Sequence, residues 1–332
     1  MRLRLLALAS VAIVALLAAG AFVITPTPSL KQGPVVVELP SHVGVMGVAE
    51  RLREAGAVRS AWGFVAAATV RGGVRRLKAG EYEFPRGAST LAVIDQIASG
   101  RVLRHPVLHP EGATVNELAR ALESARLARA DDILRVARDP VFLAALGIEG
   151  PSVEGYLFPD TYYFVRGMRP EEIVGRMVQR MRSKLTADVI ERAKARGLTT
   201  HQLLTLASIV EREAVARDEQ RLIAAVFSNR LKLDMPLQAD PTVQYALGKE
   251  RRTLTRADLM TDHPFNTYRN AGLPPGPIAS PGAGAIEAVL DPAPVKYLYF
   301  VAESADGQRH HFSTTVTEHN AAVTRYRLSR SQ

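Results

Sequence analysis

The clearest periodic pattern of apolar positions lies between Thr199 and Ala214. A pair of threonines opens this stretch, and apolar residues follow at the three- and four-residue spacing of one helix face: Leu203, Leu206, Ala207, Val210 and Ala214. Because threonine is a common N-cap residue, the pattern predicts a helix that begins near Thr199 and buries this stripe.

Two glutamates near the end of this predicted helix have different surroundings. Glu213 has Arg217 one turn ahead, an arrangement typical of an ion-paired surface glutamate. Glu211 has no such partner and lies at the edge of the apolar stripe, where desolvation would raise the pKa of its carboxyl toward the range that suits proton donation. We therefore predict that Glu211 is a general acid. The alternative is a boundary glutamate whose carboxylate reaches out to water.

Three stretches in the first third of the chain repeat one pattern, in which a short apolar strand leads through a turn into an amphipathic helix. The predicted strands begin near Val35, Gly80 and Val107, and a Pro-x-Gly turn follows the second and third. The repeats predict a small α+β module over residues 35–104. Residues 105–332 are predicted to form a larger mixed α+β domain.

The larger predicted domain contains helices, an aromatic stretch and two proline-rich loops. The aromatic residues lie between Glu154 and Phe164, where they could form either a sugar-binding platform or part of the core. The loops cover 235–242 and 266–282, and they could either shape a cleft or simply connect elements. A β-hairpin around Asp306-Gly307 and a final helix from about Val316 are also expected.

The N-terminal residues 1–25 predict a transmembrane anchor. From Leu5 to Ile24 every residue is apolar or small except Ser10, and about twenty helical residues span a bilayer core. Arginines precede this segment and only Lys31 follows it closely, so the N-terminus is expected in the cytoplasm and the remainder outside. Residues 26–34 would be an extended linker. The alternative is a cleaved signal peptide, although the apolar run is longer than is usual for one.

The composition of the chain limits which ligands and which catalytic mechanisms are expected. The formal charge of +9 favours anionic partners, but the basic residues are scattered and no nucleic-acid motif occurs, so nucleic acid is not expected. There is no cysteine, no Gly-x-Ser-x-Gly and no His-Glu-x-x-His. His310, His311, Glu318 and His319 do not have a recognisable metal-ligand spacing, so neither a metal nor a cofactor is expected. The remaining expectation is catalysis by carboxylates on a polymer outside the membrane.

Several motifs in one order resemble the endolytic murein transglycosylases, the MltG or YceG-like family. They are Leu-Ala-Ser-Ile-Val-Glu-Arg-Glu at 206–213, Asn-Arg-Leu at 229–231, Leu-Gln-x-Asp-Pro-Thr-Val-x-Tyr at 237–245, Asn-Thr-Tyr at 266–268, Gly-Leu-Pro-Pro-Gly-Pro-Ile at 272–278 and Glu-Gly-Tyr-Leu-Phe-Pro-Asp-Thr-Tyr at 154–162. The resemblance covers nearly the whole chain. One departure is Ala214, where threonine is expected in many relatives.

The resemblance implies an α+β fold with an N-terminal transmembrane helix, a small LysM-like module and a larger catalytic domain. It implies a single-pass inner-membrane protein with a periplasmic domain that cleaves the β-1,4 bond between N-acetylmuramic acid (MurNAc) and N-acetylglucosamine (GlcNAc) in nascent peptidoglycan. Such cleavage leaves 1,6-anhydro ends and terminates strand elongation. Peptidoglycan synthases of the elongation or division machinery are candidate partners.

The resemblance also assigns candidate site residues. The family's catalytic glutamate is matched to Glu211. The candidates for lining the sugar cleft are Tyr156, Gln238, Asp240, Asn266 and Tyr268. Each of these five has a structural alternative, since aspartate before proline and asparagine in a loop often fix turns. Two other functions stay open: a hydrolytic muramidase in which Asp240 is the second carboxylate, and a noncatalytic, membrane-tethered glycan-binding scaffold.

Overall fold

The computed structural model describes residues 33–248, 252–303 and 309–329, together with residues 10, 14, 20, 21 and 25. The chain divides into two compact units. The first runs as far as His105 and also includes Tyr163–Gly167. The second comprises Pro106–Tyr162 and the chain from Met168 onward.

Residues 33–104 of the first unit contain two strands and three α-helices. In chain order its elements are β1 (Val35–Leu39), α1 (Val45–Glu54), α2 (Ala61–Val70), a 3-10 helix (Val74–Arg76), β2 (Gly80–Phe84) and α3 (Thr90–Ser99). Strands β1 and β2 pair antiparallel, with Val35 opposite Phe84. Alternate residues of β1 are buried, as the alternation of side chains along a strand requires, and they join Phe64 and Ile94 in the core of this unit.

The repeated strand-to-helix pattern is present three times. Strand β3 (His105–His109) leads into α4 (Val115–Ser124), as β1 leads into α1 and β2 into α3. The predicted hydroxyl caps are also present: Ser89 and Thr114 accept hydrogen bonds from the first turns of α3 and α4. The third strand does not extend the β1–β2 pair, because β3 pairs with β4 (Asp160–Phe164).

The remaining elements belong to the second unit. They are α5 (Ala130–Val136), α6 (Pro140–Ala145), α7 (Pro170–Lys184), α8 (Ala187–Ala195), α9 (Thr200–Glu213), α10 (Gln220–Lys232), α11 (Asp240–Ala246), α12 (Arg256–Leu259), α13 (Ala283–Leu290), β5 (Tyr299–Ala302), β6 (His310–Ser313) and α14 (Val316–Ser329). A further 3-10 helix covers Arg217–Glu219. Strands β5 and β6 pair antiparallel. The turn predicted at Asp306-Gly307 between them lies outside the described residues.

Helix α9 is the centre of the second unit. It begins with a capping box between Thr199 and Gln202, as the threonine pair predicted, and every residue from Leu203 to Val210 is buried. It packs against α8, α10, α11 and α13. The stripe predicted from sequence is therefore buried, and the burial extends all the way round the middle of the helix.

The prediction of a membrane-spanning helix is not upheld. No helix within the described residues combines the length and the apolar character needed to cross a bilayer. This finding contradicts the transmembrane part of the predicted fold class and the single-pass inner-membrane location inferred from it. Most of residues 1–25 and of the linker predicted at 26–34 lies outside the described residues.

Gly155 offers a test of how two sequence motifs pack together. Its φ is +77°, and a β-carbon there would overlap the ring of Pro277 in the proline-rich loop. Gly147 also has a positive φ, +56°, but nothing lies within 4 Å of its missing β-carbon. Gly147→Ala should therefore cost only the backbone strain, about 1 kcal/mol. Gly155→Ala should cost about 1–3 kcal/mol more because of the overlap.

Denaturant unfolding of the two variants measures this difference directly. Equal losses of stability would show that the loop can shift away from position 155 without cost.

Candidate active site

The last turn of α9 brings two glutamates to the surface of the second unit. The helix ends at Glu213 because Ala214 adopts an extended conformation, with φ −79° and ψ 104°. Glu211 and Glu213 are both half-buried. They are two residues apart, so their side chains leave the helix roughly 200° apart and meet different surroundings.

Glu211 faces the loop that precedes α13. Its Oε2 accepts a hydrogen bond from the backbone N–H of Gly282 at 3.0 Å, and its Cγ lies beside Gly112. Burial raises the pKa of the Glu211 carboxyl and the nearby Glu111 adds to the rise, while the Gly282 hydrogen bond and Arg217 oppose it. The elevated pKa expected from sequence is therefore present.

Glu213 is not the ion-paired surface glutamate that its spacing from Arg217 predicted. Arg217 turns instead to Glu111, with 2.6 Å between Nη2 and Oε2. Burial raises the pKa of Glu213 to about 8 and the Asp240 carboxylate adds to the rise, while Arg212 and Arg230 oppose it. A carboxyl group with this pKa carries its proton at neutral pH.

Glu213 and Asp240 lie at the junction of two cavities. One cavity has a volume of about 360 Å³ and is also lined by Arg230, Gln238, Tyr268, His310 and others. The second has a volume of about 380 Å³ and is also lined by Glu111, Glu211, Gln244 and others. Glu213 and Asp240 border both cavities, and we call the two adjoining cavities together the cleft.

Tyr268 holds Asp240 in the cleft. Its O–H donates a hydrogen bond to Asp240 Oδ1, with 2.6 Å between the oxygens. Burial raises the pKa of Tyr268, and Asp240 raises it further, so the phenol keeps the proton that it donates. The three polar candidates Gln238, Asp240 and Tyr268 thus lie in the wall of a single cavity.

Asn266 does not line this cleft. It is fully buried, its Nδ2 donates to the carbonyls of Leu259 and Thr261, and its Oδ1 accepts the backbone N–H of Tyr268. Its side chain therefore fixes the loop that carries Tyr268. This is the structural alternative considered for an asparagine in a loop.

Thr267 joins this loop to the start of α11. Its Oγ1 accepts the backbone N–H of Ala239 at 3.0 Å and lies 2.9 Å from Thr242 Oγ1. Its carbonyl accepts the N–H of Gln238, a residue with a φ of +52°. These bonds set the position of Asp240, the first residue of α11, relative to Tyr268.

Tyr156 lies away from Glu213, at the N-terminal end of α9. Its O–H donates to Nδ1 of His201 at 2.8 Å, and His201 Nε2 donates to the carbonyl of Pro275. The cavity beside Tyr156, of about 640 Å³, contains neither Glu213 nor Asp240. The aromatic stretch at 154–164 is thus mostly buried packing, and the structure does not bring Tyr156 together with the other candidates.

Sequence reasoning missed Arg230 as a structural member of the cleft. Arg230 is 8 % exposed, and its guanidinium donates hydrogen bonds to the carbonyls of Leu237 and Leu298 at 2.8 and 2.7 Å. It therefore connects the loop before Asp240 to Leu298, the residue that precedes β5. The Asn-Arg-Leu motif at 229–231 was the available signal. Within the described part of the chain, no three His, Asp or Glu side chains are grouped so as to hold a metal ion.

Comparison with known proteins identifies the family. The YceG-like family model matches residues 37–325. The endolytic murein transglycosylase of Bacillus subtilis (strain 168) is 33% identical over 329 residues, which is 94% of this chain and 90% of that protein. The protein of the same name from Streptococcus pneumoniae serotype 2 is 32% identical over 82% of this chain and 55% of its own length.

A solved structure agrees with these sequence comparisons. The crystal structure of a YceG-like protein from Listeria monocytogenes superimposes with a TM-score of 0.61 at 32% identity, covering 88% of this chain and 99% of that one. The chain therefore belongs to the YceG-like family. The family model runs through both units, and none of these comparisons describes residues 35–104 as LysM-like, so that part of the predicted fold class is withdrawn.

The raised pKa of Glu213 predicts a specific pH dependence of stability. The folded state keeps this proton up to a pKa of about 8, whereas the unfolded chain releases it near 4.5. Between these values the unfolded state loses its proton first, so the stability contribution falls as pH rises. Each pKa unit corresponds to about 1.4 kcal/mol. Because solvent screens a half-buried group, we expect Glu213→Gln to gain about 1–3 kcal/mol over the unmodified protein between about pH 5 and about pH 8.

Denaturant unfolding at the two pH values measures this gain. Glu191→Gln, at an exposed position of α8, is the matched control and should show none. A Glu213→Gln variant with the pH slope of the unmodified protein would mean that Glu213 ionises normally.

Proposed function

We propose that this protein is a peptidoglycan lytic transglycosylase that cuts the β-1,4 bond between MurNAc and GlcNAc within glycan strands. Membership of the YceG-like family and the names of the relatives from Bacillus and Streptococcus support the reaction class. The observation that carries the proposal for the site is the position of Glu213 beside Asp240 in the cleft, where burial and the Asp240 carboxylate raise the pKa of Glu213 to about 8.

We assign the role of general acid to Glu213. A general acid must hold a proton at the working pH and must reach the leaving oxygen. The pKa of about 8 meets the first requirement, and a position on both cavities of the cleft supports the second. Glu211, the residue that the sequence predicted, remains the alternative. One Glu211 oxygen is already engaged by the Gly282 N–H, and that bond favours the ionised form.

The reaction then proceeds in two steps without water. In the first, Glu213 gives its proton to the glycosidic oxygen as the bond from that oxygen to the anomeric carbon of MurNAc breaks. The departing GlcNAc gains a hydroxyl, and positive charge develops on the MurNAc ring. In the second, the 6-hydroxyl oxygen of MurNAc bonds to the anomeric carbon and its proton returns to the Glu213 carboxylate. The products are a 1,6-anhydro end and a GlcNAc end, and the enzyme regains its starting state.

Asp240 has a separate role in this scheme. Its carboxylate, held by the Tyr268 O–H, places a negative charge beside the cleft where the oxocarbenium-like ring develops. The same charge raises the pKa of Glu213, so one residue both keeps the acid protonated and stabilises the cation. Gln238 and Tyr268 supply the polar wall against which the sugars bind.

The nature of the released ends distinguishes this function from its rivals. The purified protein, incubated with uncross-linked glycan strands, should release internal fragments with 1,6-anhydroMurNAc ends that mass spectrometry detects. Reducing MurNAc ends would indicate a hydrolytic muramidase with Asp240 as the second carboxylate. Binding without cleavage would indicate a glycan-binding scaffold.

Two isosteric variants decide which glutamate is the acid. Glu213→Gln should lower kcat by about 100-fold or more, because the amide cannot donate a proton of comparable acidity. Glu211→Gln should lower it by less than about tenfold, the loss of one supporting hydrogen bond. Glu191→Gln serves again as the control. The reverse order of the two losses would return the role to Glu211.

The pH profile gives an independent check. Because the acid must be protonated, kcat/KM of the unmodified enzyme should fall as pH rises through about 8, the pKa of Glu213. Asp240→Asn removes the neighbouring charge and should move this limb to lower pH, since the carboxylate helps to raise the pKa. A flat profile over this range would argue against a carboxylic acid of this pKa as the donor.

A further inference from the structure

The cavity lined by Glu213, Arg230 and Tyr268 also has two histidines in its wall that the proposed reaction does not use. His310 is the first residue of β6, and His319 lies on α14. Burial lowers the pKa of His319, with a further contribution from Arg230, so this part of the wall favours a neutral imidazole. His310 differs because a buried carboxylate holds it.

Glu219 binds both the backbone and the ring of His310. Glu219 is buried, with 4 % of its surface exposed. Oε1 accepts the backbone N–H of His310 at 3.1 Å, and Oε2 lies 2.7 Å from the ring Nδ1. A carboxylate can only accept, so Nδ1 carries a proton and donates it. The ring of Phe300, whose centroid is 5.2 Å from that of His310, packs against it edge-on. The orientation and tautomer of the imidazole are thus fixed.

Fixing Nδ1 as the donor determines the chemistry of the other nitrogen. In the neutral imidazole with a proton on Nδ1, Nε2 is a hydrogen-bond acceptor. Among the residues that the structure describes, no hydrogen bond to His310 Nε2 is formed. Two other polar groups of the cavity are already engaged: Arg230 donates to backbone carbonyls and Tyr268 to Asp240. Nε2 of His310 is therefore unpaired among the described residues and, in the neutral imidazole, is an acceptor available to a ligand.

We propose that His310 is a substrate-contacting residue whose Nε2 accepts a hydrogen bond from a sugar hydroxyl in the cleft, and that Glu219 is its positioning residue. This inference rests on the proposed function in that the ligand is a glycan. A purely structural role would need only the bond from the His310 backbone N–H to Glu219. The additional hydrogen bond between Glu219 Oε2 and the His310 ring is not needed for such a structural role.

Two amide variants separate the ring nitrogens. The side-chain amide of asparagine can replace Nδ1–H as the donor to Glu219 but has nothing at the position of Nε2. The longer glutamine side chain places a polar atom near Nε2. His310→Asn should lower kcat/KM by about tenfold or more, the value of one lost hydrogen bond in a site, and His310→Gln should retain more activity. His311→Asn, at the exposed neighbouring position of β6, should behave as the unmodified protein.

The result that overturns the inference is a folded His310→Asn variant with unchanged kcat/KM. In that case the Nδ1 bond is the whole role of the side chain, and His310 only joins the hairpin to Glu219.

A spectroscopic measurement tests the contact with His310 itself unaltered. The sample is the noncleaving Glu213→Gln protein with ¹⁵N-labelled histidines. The Nε2 resonance of His310 is assigned by its absence in the combined variant that also carries His310→Asn. This resonance should shift when a MurNAc–GlcNAc tetrasaccharide is added. Adding Glu219→Gln should move the ring proton to Nε2, because the glutamine amide can donate to Nδ1, and should weaken the response to the glycan. An unshifted resonance at saturating glycan would overturn the inference.

The two experiments also separate this inference from the proposed function. If the unmodified protein releases no anhydro ends, the transglycosylase proposal fails. The glycan-dependent shift of His310 then still decides whether His310 contacts the sugar.

Discussion

The desolvated carboxyl of Glu213 is the constraint around which the second unit is arranged. Three features act on it in the same direction: burial, the Asp240 carboxylate, and its place as the last residue of α9. The carboxy-terminal end of a helix carries partial negative charge, which disfavours an anion there. Arg212 and Arg230 oppose these effects only in part, because Arg230 is committed to carbonyls of the neighbouring loop and strand side. The folded protein therefore keeps a neutral acid in a cleft at neutral pH, at some expense of stability.

Holding Asp240 next to this acid requires a rigid loop. Two carboxyl groups brought together would otherwise move apart or take up water, so their separation must be fixed by the surrounding structure. Thr267 and Thr242 form hydrogen bonds with each other and with the backbone of Ala239. The side-chain amide of Asn266 forms its hydrogen bonds within the loop that carries Tyr268. This explains why polar residues with no place in the cleft stand beside those that line it. They orient Asp240 and Tyr268 through the backbone.

The sequence predicted the local features of this arrangement well. Helix α9, its threonine cap and its apolar stripe follow from spacing alone, and so do the strand-to-helix repeats in the first third of the chain. The environment of Glu213 could not be read in the same way, because it depends on residues distant in sequence. Arg217 pairs with Glu111, more than a hundred positions away, and Asp240 reaches the cleft through a loop with a positive φ at Gln238. Asn266 and Tyr268 belong to one motif, and only the hydrogen bonds distinguish the scaffold residue from the lining residue.

The spacing of the two glutamates on α9 also limits what each can do. Side chains two positions apart on a helix leave it in widely different directions, so Glu211 and Glu213 approach the cavity that they share from different sides. Glu211 is held against the loop before α13 by Gly282, and Glu111 and Gly112 close around it. Both carboxyls have a raised pKa, so pKa alone does not choose between them. The choice follows from access: Glu213 borders both cavities of the cleft together with Asp240, whereas Glu211 borders one, with an oxygen already bonded to the backbone.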